Sequence, residues 1–447
     1  MTADRVLALD AGNETQYIRA VGGTTWHWAA ACWRFLPNDF RINTLYGVGR
    51  DWPIGYEDLE PFYQQAEVMM GVAGPRRDEE DLGSPRSAEY PMPKLPWSYM
   101  DQLFGRILNT QEFRVVTEPV SRNSVTYDNR PACCGNNNCM PICPIAAQYS
   151  GAMSVTKAER LGAQLIENAV VHRLETDAEG SRITAVHYKR PDGSEHRLAA
   201  DRVVLAAHGI ETPKLMLMSR NDAAPEGIGN RTDQVGRYLT DHPGTGVTFL
   251  WDQRVYPGRG PQEMTSVVNF RDGSFRAEFA AKKLHLGNIA DLEGVVDDLI
   301  SEGRRGPELD RLIRDRVTRK VSINSFHEQL ALPENRVIPS PRQTDVRSVR
   351  FAKRETEVDF QKQAGTDRSI IEGLGPFPIA EIPQVPNYVG IDPDRQRRRW
   401  HHWIEERKSL LRSATMPPRT STTASSALWK PSCHLNRRRV HPPWLVR

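Results

Sequence analysis

The chain has 447 residues, enough for two or three domains. Its 39% hydrophobic and 26% charged content is that of a globular protein, and no apolar run is long enough for a membrane-spanning helix. The net charge of +3 hides an asymmetry: residues 342–447 carry 20 basic and 11 acidic side chains, so the first 341 residues are net negative. The opening MTADRVLALDAGNETQYIRA lacks the basic start and long apolar core of a secretory signal, so export would depend on a partner.

The first landmark in chain order is RAVGGTTWHW, Arg19 to Trp28. Gly22-Gly23 lets a ligand approach the backbone closely, Thr24 and Thr25 add hydroxyls, and Trp26 and Trp28 bracket His27. The same residues also suit a tight turn ahead of a tryptophan-rich core segment.

The second landmark is CCGNNNCMPICP, which gathers four of the six cysteines into eleven residues. Adjacent Cys133 and Cys134 cannot bridge each other without strain, and six cysteines are few for a disulfide scaffold. Zinc sites usually show two separated cysteine or histidine pairs, and no second pair follows here. An iron–sulfur cluster fits the pattern Cys133-x5-Cys139-x3-Cys143 best. Gly135 and three asparagines tolerate left-handed turns, and Pro144 follows the last cysteine. Disulfide and zinc readings stay open on the residues alone.

The third landmark runs from Leu161 to Ser219. Alternating apolar residues predict a strand over 165–174, and RITAVHYKRPDGSEHRLAADRVVLAA predicts a hairpin turning at Asp192-Gly193. RVVLAAHGIETPKLMLMS then predicts a short buried strand, a turn at Gly209 and a helix with Thr212 as N-cap and Pro213 as first residue. Such a unit aims backbone N–H groups at a phosphate. Further on, FHEQLALPENRV predicts a strand pair, with His327 and Glu328 as candidate pocket residues.

These stretches, together with GVGRDWPIGYEDLEPFYQQAE, VGRYLTDHPGTGV and PENRVIPS, run in order from about residue 16 to 340. They resemble the glucose–methanol–choline (GMC) flavoprotein oxidoreductases. Within them they resemble the FAD-bearing large subunit of membrane-linked glucose, gluconate and sorbitol dehydrogenases. The resemblance implies flavin contacts from Arg19, Gly22, Gly23, Thr24, Thr25, His27, Trp28, Gly209, Thr212 and Pro213, and a place for Asp241 to Gly244 in the flavin-side core. It implies a [3Fe-4S] cluster held by Cys133, Cys139 and Cys143, with Cys134 spare. His208 departs from the small residue or Asn expected there.

The implied fold is mixed α/β. Residues 1–240 form a partial Rossmann-like FAD-binding domain with the cluster loop at 131–145. Residues 241–341 form an antiparallel substrate-domain sheet, and 342–447 a disordered basic tail. The implied activity is oxidation of a sugar or polyol hydroxyl, with electrons passing through the cluster to a cytochrome c partner. A small export subunit would carry the complex to the periplasmic side of the bacterial inner membrane. Nucleic acid is not an expected partner, because no recognition motif accompanies the basic tail.

Two departures qualify the resemblance. No G-x-G-x-x-G dinucleotide fingerprint in a strand–helix setting occurs. Past residue 340 the family pattern stops, and the Arg, Ser, Thr and Pro bias reads as a shifted coding frame, with a basic interaction tail as the alternative. His401, His402, His434 and His441 lie in that tail, outside any family motif, so no catalytic base is assigned. A truncated, inactive remnant holding at most a metal cluster is the competing reading.

Overall fold

The computed structural model describes residues 6–7, 18–110, 113–140, 142–240, 242, 244–344 and 350–355. Short strands β1 (Val6–Leu7) and β2 (Ile18–Arg19) lead into a 3₁₀ turn, Gly23–Trp26. Helices α1 (Ile42–Tyr46) and α2 (Tyr56–Met70) follow. Gly71 ends α2, since its φ of 70° lets its N–H reach the Glu67 carbonyl. Strands β3 (Ala73–Gly74) and β4 (Met92–Pro93) pair in parallel.

Helix α3 (Tyr99–Asn109) opens in a reciprocal cap: the Asp101 N–H donates to Ser98 Oγ at 3.1 Å, and the Ser98 N–H to Asp101 Oδ2 at 3.2 Å. Its buried residues Met100, Phe104 and Leu108 recur every fourth position, which gives the helix one apolar stripe. Strand β5 (Val115–Thr117), the cysteine loop and helix α4 (Gly151–Arg160) come next.

Strands β6 (Val170–Thr176), β7 (Ile183–Lys189) and β8 (Glu195–Ala199) form an antiparallel meander. The β7–β8 turn falls on Asp192-Gly193 as the sequence predicts, with Gly193 at φ 83°. The strand predicted over 165–174 begins only at Val170. Helix α5 (Glu211–Met218) lies on β6. Strands β9 (Gly244–Leu250), β10 (Thr265–Val267) and β11 (Lys282–Gly287) precede helices α6 (Leu292–Ser301) and α7 (Gly306–Arg316). Strands β12 (Lys320–His327), β13 (Arg336–Thr344) and β14 (Arg350–Glu355) complete the order.

The fold is mixed α/β with mainly antiparallel sheets. Its largest sheet has the order β5-β10-β11-β12-β9, antiparallel throughout. The sheet is not confined to residues 241–341, because β5 from the earlier part of the chain forms its edge. One face of it carries Val115, Val267, Leu284, Leu286, Val321 and Phe249, packed against Met100, Phe104 and Leu108 of α3.

Three expectations need correction. Residues 202–206 form no strand, and Val204 is 88% exposed. An extended apolar segment becomes a strand only when a neighbour takes its N–H and C=O groups, and no described segment pairs with this one. Helix α5 starts at Glu211 with Ile210 as N-cap, two residues ahead of the predicted Pro213 and Thr212. Strand β12 pairs with β9 and β11, whereas β13 pairs with β14, so 326–337 is not one strand pair. The predicted tail beyond residue 355 lies outside the described residues.

Candidate functional site

The Gly-Gly-Thr-Thr loop is a tight turn seated on the start of α4. Gly22 has φ 93°, and a Cβ there would lie 2.8 Å from the Ala152 N. Only glycine satisfies both conditions. Thr25 Oγ1 donates to the Gly22 carbonyl and accepts the Gly151 N–H at 2.7 Å. The His27 N–H closes the turn onto the Thr24 carbonyl. Trp28 Nε1 donates to the Tyr149 carbonyl at 2.9 Å. Residues 20–29 remain half-buried, so the loop keeps an open side. Arg19 lies on β2, and its side chain is outside the described residues.

The cysteine loop packs beside it. Cys133, Cys134, Cys139 and Cys143 are all thiols, as is Cys32. Cys139 is buried, and Cys133 packs against Leu95, Val120 and Met264. Burial pushes the Cys133 thiol up to about 11, and the nearby Cys139 and Cys143 add to the rise. The Gly135 N–H points at Cys133 Sγ from 3.4 Å. Three soft thiols on one loop suit iron–sulfur ligation chemically. The geometry is not gathered for it: among the described residues no group of three or more His, Cys, Asp or Glu side chains could hold a metal ion.

Arg122, 1% exposed, ties both loops to the large sheet. Its guanidinium donates to the Ala29 carbonyl at 3.2 Å, the Gln262 carbonyl at 2.8 Å and Gln148 Oε1 at 3.0 Å. Gln148 in turn donates to the Trp28 carbonyl at 2.7 Å. Gln262 Nε2 donates to the Asn137 carbonyl at 2.8 Å, so the cysteine loop is held against the segment leading into β10.

The second face of the large sheet is polar. Strand register brings Ser266, His285, Asn324 and Gly246 into one row, with Lys283, Phe326 and Gly244 in the next. Glu118, fully buried, accepts from Lys283 Nζ at 2.8 Å and from Ser266 Oγ. Burial opposes its ionisation, but Lys283 and its other neighbours hold it below the ordinary carboxylate range. Burial, reinforced by the charge of Glu118, raises Glu263 to about 7. Burial lowers His285 to about 4. The His285 ring stacks on Phe326 at 4.9 Å, and Asn324 Nδ2 stands 3.3 Å from His285 Nε2. The exposed His242 meets Phe326 edge-on at 5.4 Å. Its neighbours Asp241 and Pro243 lie outside the described residues.

Gly209, Thr212 and Pro213 stand apart from this group, at the start of α5. Thr212 Oγ1 accepts the Ala207 N–H at 3.2 Å, and nothing lies within 4 Å of where a Cβ on Gly209 would sit. His208 has φ 95°, which explains why a small residue or Asn is expected there. His327 and Glu328 do not line the polar face. His327 is buried and alternates with it along β12, on the side of Val321 and Ile323. Glu328 is drawn into an ion pair with the buried Arg276 at 2.7 Å and accepts the Ala281 N–H. Residues 207–209 are exposed with open space at Gly209, whereas at 20–29 the backbone is half-buried and Gly22 is packed against Ala152 and Trp26; these are the backbone surfaces a flavin nucleotide would need.

Glu118, Arg122, Glu263, Lys283, His285 and Asn324 escape a motif search. The alternation in KKLHLG and KVSINSFH signals a sheet with one polar face. The partners Glu118 and Ser266, 148 residues apart, leave no local signal.

Residues 111–244 match the family model described as GMC oxidoreductase. The chain belongs to the GMC oxidoreductase family. It is 48% identical to the fructose dehydrogenase large subunit of Gluconobacter japonicus over 72% of this chain and 59% of that one. It is 29% identical to 2-methyl-1,2-propanediol dehydrogenase of Mycolicibacterium austroafricanum, over 52% of this chain and 42% of that one. It is 25% identical to the gluconate 2-dehydrogenase flavoprotein of Pantoea cypripedii, over 44% and 37%. The chain therefore spans about six-tenths or less of the length of these relatives.

Proposed function

We propose that this chain is the flavin-bearing part of a dehydrogenase that oxidises a CH–OH group of a sugar or polyol. Cys133, Cys139 and Cys143 would hold an iron–sulfur cluster if drawn together, and the chain would work with a cytochrome c partner and a small export subunit at the periplasmic side of the inner membrane. When bound, FAD supplies the acceptor for a carbinol hydride, and the cluster one-electron steps. The observation that carries the reading is the linkage made by Arg122. It joins the Gly-Gly-Thr-Thr loop, the cysteine loop and the polar sheet face into one region.

Within that region the chain's own residues divide the work. Gly22 to Trp28 and Gly209 to Pro213 offer backbone and hydroxyl contacts to the nucleotide. The polar face offers an amide, hydroxyls and a stacked His285–Phe326 pair to a polyhydroxylated substrate. Arg122, through its carbonyl and amide contacts, fixes the spacing between the loops.

The test is turnover by the full chain supplied with FAD and an artificial one-electron dye. D-fructose joins glucose, gluconate and sorbitol as substrates because of the 48% identical relative. Dye reduction that requires one of these sugars is expected, and equal rates without sugar would contradict the reading. Iron analysis tests the cluster. Serine at position 133, 139 or 143 should abolish bound iron, whereas Cys134→Ser should retain it.

A further inference from the structure

The linked parts of the site meet at Glu263. On one side of it, the Gln262 carbonyl accepts from Arg122, and the Gln262 side chain holds the cysteine loop at Asn137. On the other, the Met264 carbonyl accepts the Glu118 N–H at 2.9 Å. Arg122 reaches on to Ala29, beside the Gly-Gly-Thr-Thr loop. Between these two pinned carbonyls Glu263 has φ 49°, a left-handed backbone that a residue with a side chain adopts at a cost. Strain of this kind persists only where surrounding contacts impose it, and it gathers at functional sites.

The side chain joins the polar cluster of the large sheet. Glu263 Oε1 stands 4.0 Å from His285 Nε2, beyond hydrogen-bond reach. Glu118, the other carboxylate of the cluster, is fully buried and already accepts from Lys283 and Ser266. Glu263 keeps 14% of its side chain exposed, so of the two carboxylates it is the one a substrate can reach. The charged groups facing it are Glu118, which follows β5, Arg122, and Lys283 on β11. His285, also on β11, faces it as a neutral ring, because burial lowers that imidazole to about 4. Burial first, then the charge of Glu118, raises the Glu263 carboxyl to about 7, against the pull of Lys283 and Arg122. A group of that strength takes up and releases a proton near neutral pH.

We propose that the Glu263 carboxylate is the proton acceptor for the hydroxyl of a bound alcohol, held by its strained turn where the Arg122-linked loops meet the polar face. On oxidation the carbinol O–H bond breaks and its proton passes to a Glu263 oxygen. The O–H electron pair becomes the carbonyl π bond, and the C–H pair leaves as hydride to a flavin-class acceptor. The assignment rests on the dehydrogenase reading for that acceptor and for a substrate at the polar face.

The test uses the full chain supplied with FAD, D-sorbitol and a one-electron dye. Wild-type kcat should rise with pH through about 7, as Glu263 loses its proton. Glu263→Gln keeps the shape but cannot take up a proton. Its kcat should fall by about 10²–10⁴-fold and lose the pH-dependent rise, with KM held within about threefold. Glu263→Gly suits the left-handed backbone and leaves a cavity, so added formate should raise its rate by at least about tenfold. Difference infrared on the full chain before FAD is added reads the carboxyl without turnover. Sorbitol should shift a carboxyl band that titrates near neutral pH in the wild type and is missing from Glu263→Gln. Three results would overturn the assignment: Glu263→Gln with the wild-type rate and pH profile, kcat and KM failing together with no rescue of Glu263→Gly by formate, or no carboxyl band shifted by sorbitol. The first of these spares the dehydrogenase. A sorbitol-shifted Glu263 band in a wild type that reduces no dye does the reverse, supporting the contact and sinking the dehydrogenase.

Discussion

The two faces of the five-stranded sheet are built from the same strands yet follow opposite rules. One face is a continuous apolar surface sealed by α3, with Phe104 edge-on to Trp251 at 5.1 Å and to Phe249 at 6.4 Å. The other places a carboxylate, a lysine, a histidine and an amide on neighbouring rows, with glycines where side chains would fill the space. The buried Glu118 Oε2 and His285 Nδ1 have no hydrogen-bond partner among the described residues. Unpartnered polar atoms are costly in a core. The carboxylate, lysine, histidine and amide gathered on the polar face mark it as the functional side, while the apolar face supplies stability.

That contrast is breakable, and the largest effect falls on the apolar face. Phe104→Ala should lower unfolding free energy by about 3–5 kcal/mol in a denaturant titration, from lost transfer and cavity terms. On the polar face, Glu118→Gln should cost about 3 kcal/mol, because it leaves Lys283 half-buried without its anion. Adding Lys283→Met should restore most of that loss. A polar face that was merely an exposed surface would lose under about 1 kcal/mol in either variant.

pH sharpens the contrast further. Glu263 keeps its proton in the folded chain up to about pH 7 but loses it near 4.5 when unfolded, so its contribution to stability falls as pH rises between those values. His285 stays neutral in the folded chain down to about pH 4 but takes up a proton near 6.5 when unfolded, so its contribution falls as pH drops across that window. Glu118 and Lys283 act on both groups, and Arg122 on Glu263. The two slopes oppose each other in the wild type. Glu263→Gln should therefore lose stability on acidification from 6.5, and His285→Gln should lose it on going from 4.5 toward 7, in urea melts across pH. The smallest effect lies away from the sheet. His208→Gly relieves a left-handed backbone and should add about 1 kcal/mol to stability, read as a higher melting temperature.

What was legible in the sequence had local causes. Gly22-Gly23 allows either the approach of a ligand or a tight turn, and the structure shows the turn, with Gly22 packed on Ala152. Asp192-Gly193 announced the hairpin because a tight turn needs a positive φ at Gly193. The family motifs were readable for the same reason. The large sheet was less legible, because β5 and β10 are three residues each and meet from distant parts of the chain. Glu118 and Arg122 acquire meaning through distant partners, among them Ser266 and Gln262, more than a hundred residues away. The strand expected at 202–206 failed for the converse reason. Its apolar pattern was correct, but strand formation depends on a pairing partner that the pattern does not contain.

The most direct measurement is an anaerobic titration of the FAD-supplied full chain with D-sorbitol and D-fructose, following the flavin absorption band. The account predicts that one or both sugars bleach the band, and that methyl ethers lacking the free carbinol do not. A bound flavin that keeps its absorbance at saturating sugar, or a chain that retains no flavin, would contradict it.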